Sequence, residues 1–324
     1  MPEILKNRHE FMFYLACEDA NPNGDPDMGN MPRVDPETML GVITDAATKR
    51  RIRDYVQAFH GSEPGMGIFV SDGPCLNGKI EAITKSLGQA DISVYTKKKK
   101  NRPPEETDQS RNVACEKYWD VRTFGAVMST GQNAGQVRGP VQIAFARSLD
   151  PVQPMDIGIT RVVDTDTDGK HTMGRKAYIP FGLYQVRGFV SANLAAQTGF
   201  TEDDFNILVE AMANMYDATR SASKGLMHLA SPVIVFRHMG DPAKPVDEQA
   251  RQALLGCAPA HKLFELADCR LKDGVAVPRS YRDYECVLDM TGKPERIDVG
   301  FMTAYSDGIV WNSLPDGEDW IVLK

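Results

Sequence analysis

The chain has 324 residues, with 37 Lys+Arg against 44 Asp+Glu, a formal net charge of −7, and 42% apolar residues, a composition that excludes a wholly disordered protein. Charged residues, Gly or Pro interrupt every apolar run before the ~18 to 20 consecutive apolar residues that a membrane-spanning helix needs, so no spanning segment is expected. The acidic balance restricts any nucleic-acid contact to a local basic patch.

Glu10 to Ala20, rich in aromatic and aliphatic residues, reads as a buried first strand; its short apolar run Phe11 to Cys17 lacks the length and flanks of a signal h-region. Turn formers from Asn21 to Asp27 open a loop that continues to Gly41 without periodicity, longer than ordinary connections and therefore expected to be functional. A helix is predicted from Thr44, its N-cap, with Ile52, Tyr55, Val56 and Phe59 on the inward stripe. Lys49, Arg50 and Arg53 share one arc beside that stripe, whereas Arg51 falls on its opposite flank.

From 61 to about 120 the pattern weakens, and the polar stretch containing Lys97 to Lys100 predicts a solvated excursion from the core. Val141, Ile143 and Phe145 alternate as in a strand that Pro140 forces to start there or lie at an edge. Ile157 to Val163, a turn-like Asp164 to Gly169, and the return through Met173 to Pro180 read as a projecting hairpin. An apolar run from Phe181 to Ala195 leads to a near capping box at Thr201 to Asp204, then a helix with Phe205, Leu208, Met212 and Met215 inward. Ser231 to Phe236 is a further buried strand. This order predicts an α+β fold, with helices on a mostly antiparallel sheet and a split βαβ, ferredoxin-like core, as one domain carrying two insertions.

Enzyme motifs are sparse. There is no H-E-x-x-H, G-x-S-x-G, Walker A or complete dinucleotide fingerprint. Asp164-x-Asp166-x-Asp168-Gly169 satisfies the first six positions of a calcium loop, but Arg175 stands at the twelfth, where a bidentate Glu belongs. Cys257, His261 and Cys269 match no zinc spacing, and six scattered cysteines without C-x-x-C argue against a disulfide framework, so reduced thiols in a cytoplasm are expected. Asp25, Asp27 and Asp35 sit in the first loop, where carboxylates ordinarily bond turn amides. No metal and no cofactor is expected.

Several segments coincide with one family. Asn21-Pro-Asn-Gly-Asp-Pro-Asp-x-Gly-Asn-x-Pro-Arg33-x-Asp-Pro-Glu-Thr38, then Thr44-Asp with Lys49-Arg50 and Arg53, Asp120-Val-Arg-Thr-Phe-Gly-Ala-Val-Met128, Gly135-Gln-Val-Arg-Gly-Pro-Val-Gln142, Met173-Gly-Arg-Lys176 and Ser221-Ala-Ser-Lys-Gly225 closely resemble the backbone subunit of the type I-C CRISPR Cascade complex. The chain departs from that pattern at Met39-Leu40, where the family favours Gly, and at Ser223-Lys224, where Ala-Arg is commoner.

The resemblance implies an RNA-recognition-type (RRM-like) palm, a finger insertion at about 61–120 and a thumb hairpin at about 152–180. It also implies copies arranged head-to-tail along a CRISPR RNA, whose bases stay exposed to pair with a target DNA strand, together with guide-processing and large Cascade subunits as partners. A Lys/Arg arc neutralises phosphates without reading bases, giving sequence-independent, salt-sensitive affinity. Lys49, Arg50 and Arg53 are therefore the leading phosphate contacts. Matching motif positions add Asn21, Asn23, Arg33, Thr44, Gln136, Arg138, Ser221, Ser223 and Lys224; Phe124 and Met128 either touch a base or pack in the core, and Met173 is placed to wedge against a nucleotide. Binding without catalysis is expected. The alternative is a type III-like backbone subunit with metal-dependent target-RNA cleavage, for which Asp35 lies in the comparable loop.

Overall fold

The structure, a computed structural model, describes residues 2–94, 102–160, 173–314 and 321–323. The first third of the chain forms β1 (His9–Ala20), β2 (Gly24–Asp25), β3 (Met31–Pro32), β4 (Leu40–Ile43), α1 (Asp45–Phe59), α2 (Leu76–Ser86) and α3 (Pro104–Lys117). There follow α4 (Trp119–Phe124), β5 (Gly125–Met128), β6 (Gly135–Arg138), β7 (Val141–Ile143), β8 (Ala146–Pro151), β9 (Met155–Thr160), β10 (Met173–Val190), α5 (Ala192–Thr198) and α6 (Glu202–Ala218). The last third comprises β11 (Leu226–Leu229), β12 (Val233–His238), α7 (Val246–Leu255), α8 (Ala260–Phe264), β13 (Ala267–Leu271), β14 (Tyr284–Leu288), β15 (Ile297–Met302), β16 (Val310–Trp311) and β17 (Ile321–Leu323).

The fold is mixed α/β, organised on a large antiparallel sheet ordered β16-β15-β12-β1-β10-β8-β4, with β7 also on β10 and β11 on β1. Strand β1 sits at its centre, and its alternation explains the unbroken apolar run. Phe11, Phe13, Leu15 and Cys17 enter the core under the helices, while Met12, Tyr14 and Ala16 enter a second core on the opposite face. A strand buried on both sides has no polar face to show. On the first face lie α1 and α6, contributing Ile52, Tyr55 and Val56, and Phe205, Leu208, Met212 and Met215. Both helices start as the sequence predicts: Thr44 accepts from Ala47 N, and Thr201 and Asp204 close a reciprocal capping box.

The second face is covered by α8 and by the small sheet β13-β14-β17, an element that periodicity alone did not reveal. Cys269 and Cys286 stand directly opposite each other on β13 and β14, Cα atoms 4.1 Å apart, and form a disulfide. This corrects the expectation of reduced thiols throughout: scattered sequence positions conceal a cross-strand register that brings two of the six together. Cys17, Cys75, Cys115 and Cys257 are free. Glu10, fully buried at the start of β1, accepts from Arg8 on one oxygen; its other oxygen lies 2.6 Å from His238 Nε2, while His238 Nδ1 accepts from Cys257 N at 2.7 Å.

Two apolar positions differ from expectation. Phe145 is exposed because Ile143 to Arg147 takes four steps where its partner β10 takes three, from Gly188 to Gln185; the extra residue breaks the ladder and turns Phe145 outward. Phe59, at the last position of α1, is exposed and stacks on Tyr55 with ring centroids 4.6 Å apart.

The predicted hairpin is a two-stranded ribbon. Residues Met173 to Tyr178 of β10 pair with β9, whereas the residues beyond them pair with β1, so the ribbon extends past the sheet and all of β9 is exposed. The calcium-like loop at Asp164 to Gly169 and the lysine tract at Lys97 to Lys100 lie outside the described residues. Within 61–120, Phe69, Ile80, Ile83, Ala114 and Cys115 build a cluster of their own, which Met128, Ala134 and Val137 of the following hairpin complete.

Met39 adopts φ 58°, the left-handed conformation that glycine tolerates and a long side chain does not. An L residue there costs ~1 to 2 kcal/mol, and glycine gives back ~0.5 to 1 kcal/mol through the entropy of the unfolded chain. Met39→Gly is therefore expected to stabilise the protein by about 0.5 to 1 kcal/mol in urea denaturation; a loss of stability would refute the strain.

Candidate nucleic-acid interface

The first loop is tied to α1 by Asn23, whose Oδ1 accepts from both the backbone N and the hydroxyl of Thr44 at 2.9 Å. Thr44 in turn caps the helix, so the asparagine of the first motif sets where the cationic helix begins. Arg33 donates to Asp25 at 3.0 Å and bonds Asn23 O through its backbone N. Asn21 is buried and donates to Asn30 O at 2.7 Å. The loop thus folds on itself through the short β2-β3 pair.

Along α1 the three cations differ in freedom. Arg50 is half exposed and paired with Asp54 at 2.7 Å; Lys49 pairs with Asp45 at 2.9 Å and lies 5.7 Å above the Phe124 ring. The half-exposed Arg50 pair contributes only ~0.3 to 0.5 kcal/mol and yields readily to a phosphate. Arg53 is as little exposed as Lys49, 12% against 14% of the side chain, but differs in its partner: it donates at 2.8 Å to Asp120 on α4, itself 1% exposed. Asp120 also accepts from Phe69 N at 2.6 Å and Val70 N at 3.0 Å. Arg51, on the other flank as predicted, donates to Thr219 at the end of α6.

The Asp120 to Met128 motif is largely architectural. Arg122 makes a two-pronged ion pair with Asp204, at 2.9 and 2.7 Å, and donates to Gly65 O at 2.6 Å, fastening 61–120 to the start of α6. Phe124 is buried, T-shaped against Trp119 and lying under Lys49 and Arg53. Gly125, at φ +80°, lies so close to β6 that a Cβ would meet Val137 O at 2.4 Å.

The sequence pattern of the family described as CRISPR-associated protein Cas7 matches residues 7–289. The chain belongs to the Cas7 family. A CRISPR-associated protein Cas7 from Haloferax volcanii is 27% identical over 223 residues, and the match spans 61% of each chain. Among solved structures, a chain of a CRISPR RNA-guided surveillance complex in a pre-nicking state aligns at 16% identity and TM-score 0.47, covering 73% of this chain and 80% of that one. A chain of a type III-B Cmr-beta complex bound to cognate target RNA aligns at 12% identity and TM-score 0.34, covering 69% and 59%.

In this Cas7 family member, segments two hundred residues apart meet. Lys224 donates to Asn21 O at 3.0 Å and Pro22 O at 2.7 Å, and Ser223 O accepts from Asn21 N at 2.8 Å. Gly225, at φ +47°, packs where a Cβ would lie 2.4 Å from Asp19 O. Ser221 and Ser223 are exposed with their hydroxyls 3.4 Å apart. Contacts therefore run from 221–225 through 21–23 to Thr44, along α1 to Phe124, and on to β6, whose Gln136 and Arg138 are exposed.

Of the other predicted contacts, Met128 and Phe124 are buried. Met128 is wholly buried among Phe69, Ile80 and Val137, so it packs the core instead of touching a base. Phe124 serves the cations above it. Met173 lies on the ribbon opposite Thr160, and its side chain is outside the described residues. The sequence reading missed the binding roles of Asp120 and Arg122 toward Arg53 and Asp204; two opposite charges inside an otherwise apolar helical turn were the available signal. Asp35 is held by Arg147 at 2.8 Å, and this hydrogen bond, with backbone donors from the following turn, keeps its carboxyl below the usual range.

Burial, and secondarily the neighbouring Arg51, push the Lys224 ammonium down to about 8, whereas an unfolded lysine keeps its proton to about 10.4. Between those values the unfolded chain binds more protons, so stability rises with pH there. Relative to Lys224→Met, the wild type is expected to gain up to about 1.4 kcal/mol per pH unit across that window, read by urea denaturation. A difference flat with pH would contradict the buried charge.

Proposed function

We propose that the chain is a CRISPR RNA-binding backbone subunit of a type I-C Cascade complex in the cytoplasm, polymerising head-to-tail along the guide and presenting it to a target DNA strand for antiviral defence. The observation that carries this reading is the meeting of the 21–44 and 221–225 motifs with the cationic face of α1 on one surface. On this reading the order β12-β1-β10-β8 with α1 and α6 on one face is the RRM-like palm. The elements within 61–120 are the finger, and the β9-β10 ribbon within 152–180 is the thumb. An open head-to-tail interface repeats one modest basic patch along a filament, which reconciles RNA binding with a net charge of −7.

The test is purification from cells expressing a CRISPR array and the partner subunits, followed by ribonuclease treatment and sequencing of protected RNA. Spacer fragments protected at regular intervals are expected. A nucleic-acid-free protein with the partners present would overturn the proposal, and metal-dependent RNA cleavage lost in Asp35→Ala would establish the type III-like alternative.

A further inference from the structure

Beside β6 lies a polar cavity of about 390 Å³, walled by α3, β6 and the end of α5. Arg111 and Asn112 come from α3, Gln136 and Arg138 from β6, and Gln197 and Thr198 from α5. Gly135 makes the arrangement possible. At φ +86° it brings β6 against α3 so closely that a Cβ would lie 2.5 Å from Thr107 Cγ2 and 3.6 Å from the Arg111 side chain.

The polar lining points to an occupant. The charge is also cationic: Asp108 pairs with Arg111 through exposed side chains, and Arg138 has no ion-pair partner among the described residues. Guanidinium forks match phosphate oxygens, while amides match the edges of a base and a ribose 2′-OH. The cavity volume falls within the ~300 to 1,000 Å³ of small-molecule pockets.

We propose that this cavity receives one nucleoside-monophosphate unit of the bound RNA, its phosphate between Arg111 and Arg138 and its sugar and base edge on Asn112, Gln136 and Gln197. The assignment rests on the RNA-binding reading and extends it to Arg111, Asn112 and Gln197, which no motif supplied.

The test uses the full chain with a single-stranded RNA carrying 4-thiouridine. Photocrosslinks to peptides from 104–117 or 192–198 are expected, and Arg111→Ala should lower the log-log salt slope by about 0.7 and the affinity about fourfold at 0.15 M salt. Gln197→Ala, at an exposed position, should weaken crosslinking at the α5 peptide with the melting temperature unchanged. RNA bound with wild-type affinity by both variants, and crosslinked elsewhere, overturns the cavity assignment while leaving the α1 surface standing. Saturable binding of free adenosine monophosphate that Arg111→Ala abolishes, without RNA crosslinks at the cavity, would make it a free-nucleotide site and also overturn the assignment. Absence of RNA binding by the wild type removes the parent reading and this one together.

Discussion

Asp120→Ala is expected to lower the free energy of unfolding by about 3 to 5 kcal/mol, because it removes one partner of a buried ion pair. The Asp120 carboxylate, 1% exposed, is the shared acceptor for the Arg53 guanidinium and the backbone amides of Phe69 and Val70. Alanine leaves a guanidinium only 12% exposed without its counter-charge, and two amides without an acceptor. Lys79 holds the same segment from the other side, donating to Ile68 O and Phe69 O at 2.8 Å, so 68–70 is clamped between two charges and loosens when one is removed. Urea denaturation read by fluorescence and circular dichroism measures the loss; a change under about 1 kcal/mol would mean that water replaces the pair without penalty. Asp120→Asn keeps an acceptor oxygen and should cost less than alanine.

The double variant Lys49→Ala with Arg50→Ala is expected to weaken binding to single-stranded RNA of any sequence. Every phosphate that goes unneutralised takes about 0.7 from the log-log salt slope, and about fourfold from affinity at 0.15 M relative to 1 M salt, so two such phosphates amount to about fourteenfold. The present partners of the two cations, Asp45 and Asp54, are on the same helix, one turn away. Removing the half-exposed Arg50 pair changes stability by only a few tenths of a kcal/mol, whereas Lys49, 14% exposed over the Phe124 ring, also loses its stem packing. Affinity and salt slope should therefore fall together, Arg50→Ala alone should leave the unfolding midpoint nearly constant, and an unchanged slope would remove this face of α1 from the interface. Arg53→Ala should behave oppositely, acting through stability because its guanidinium belongs to Asp120. Three cations adjacent on a helical wheel thus divide into two paired within α1 and one that holds the fold.

Where a residue's role follows from local periodicity or capping chemistry, the sequence by itself determined it. The two-faced burial of β1, the capped starts of α1 and α6, the inward stripe of α6, the outward hairpin, and the flank taken by Arg51 all depend on neighbours within a turn or along one strand. The motif blocks were legible too, as a series of positions. Only the tertiary structure decided which of them meet: Lys224 on Asn21 and Pro22, Arg122 on Asp204, Asp120 on Arg53, and Cys269 opposite Cys286. A charged side chain looks alike in sequence whether it ends in solvent or on a buried counter-ion. Its fate is set by long-range packing, which carries no local period, and by the cost of burying charge unpaired, which forces the pairing once the surrounding elements have docked.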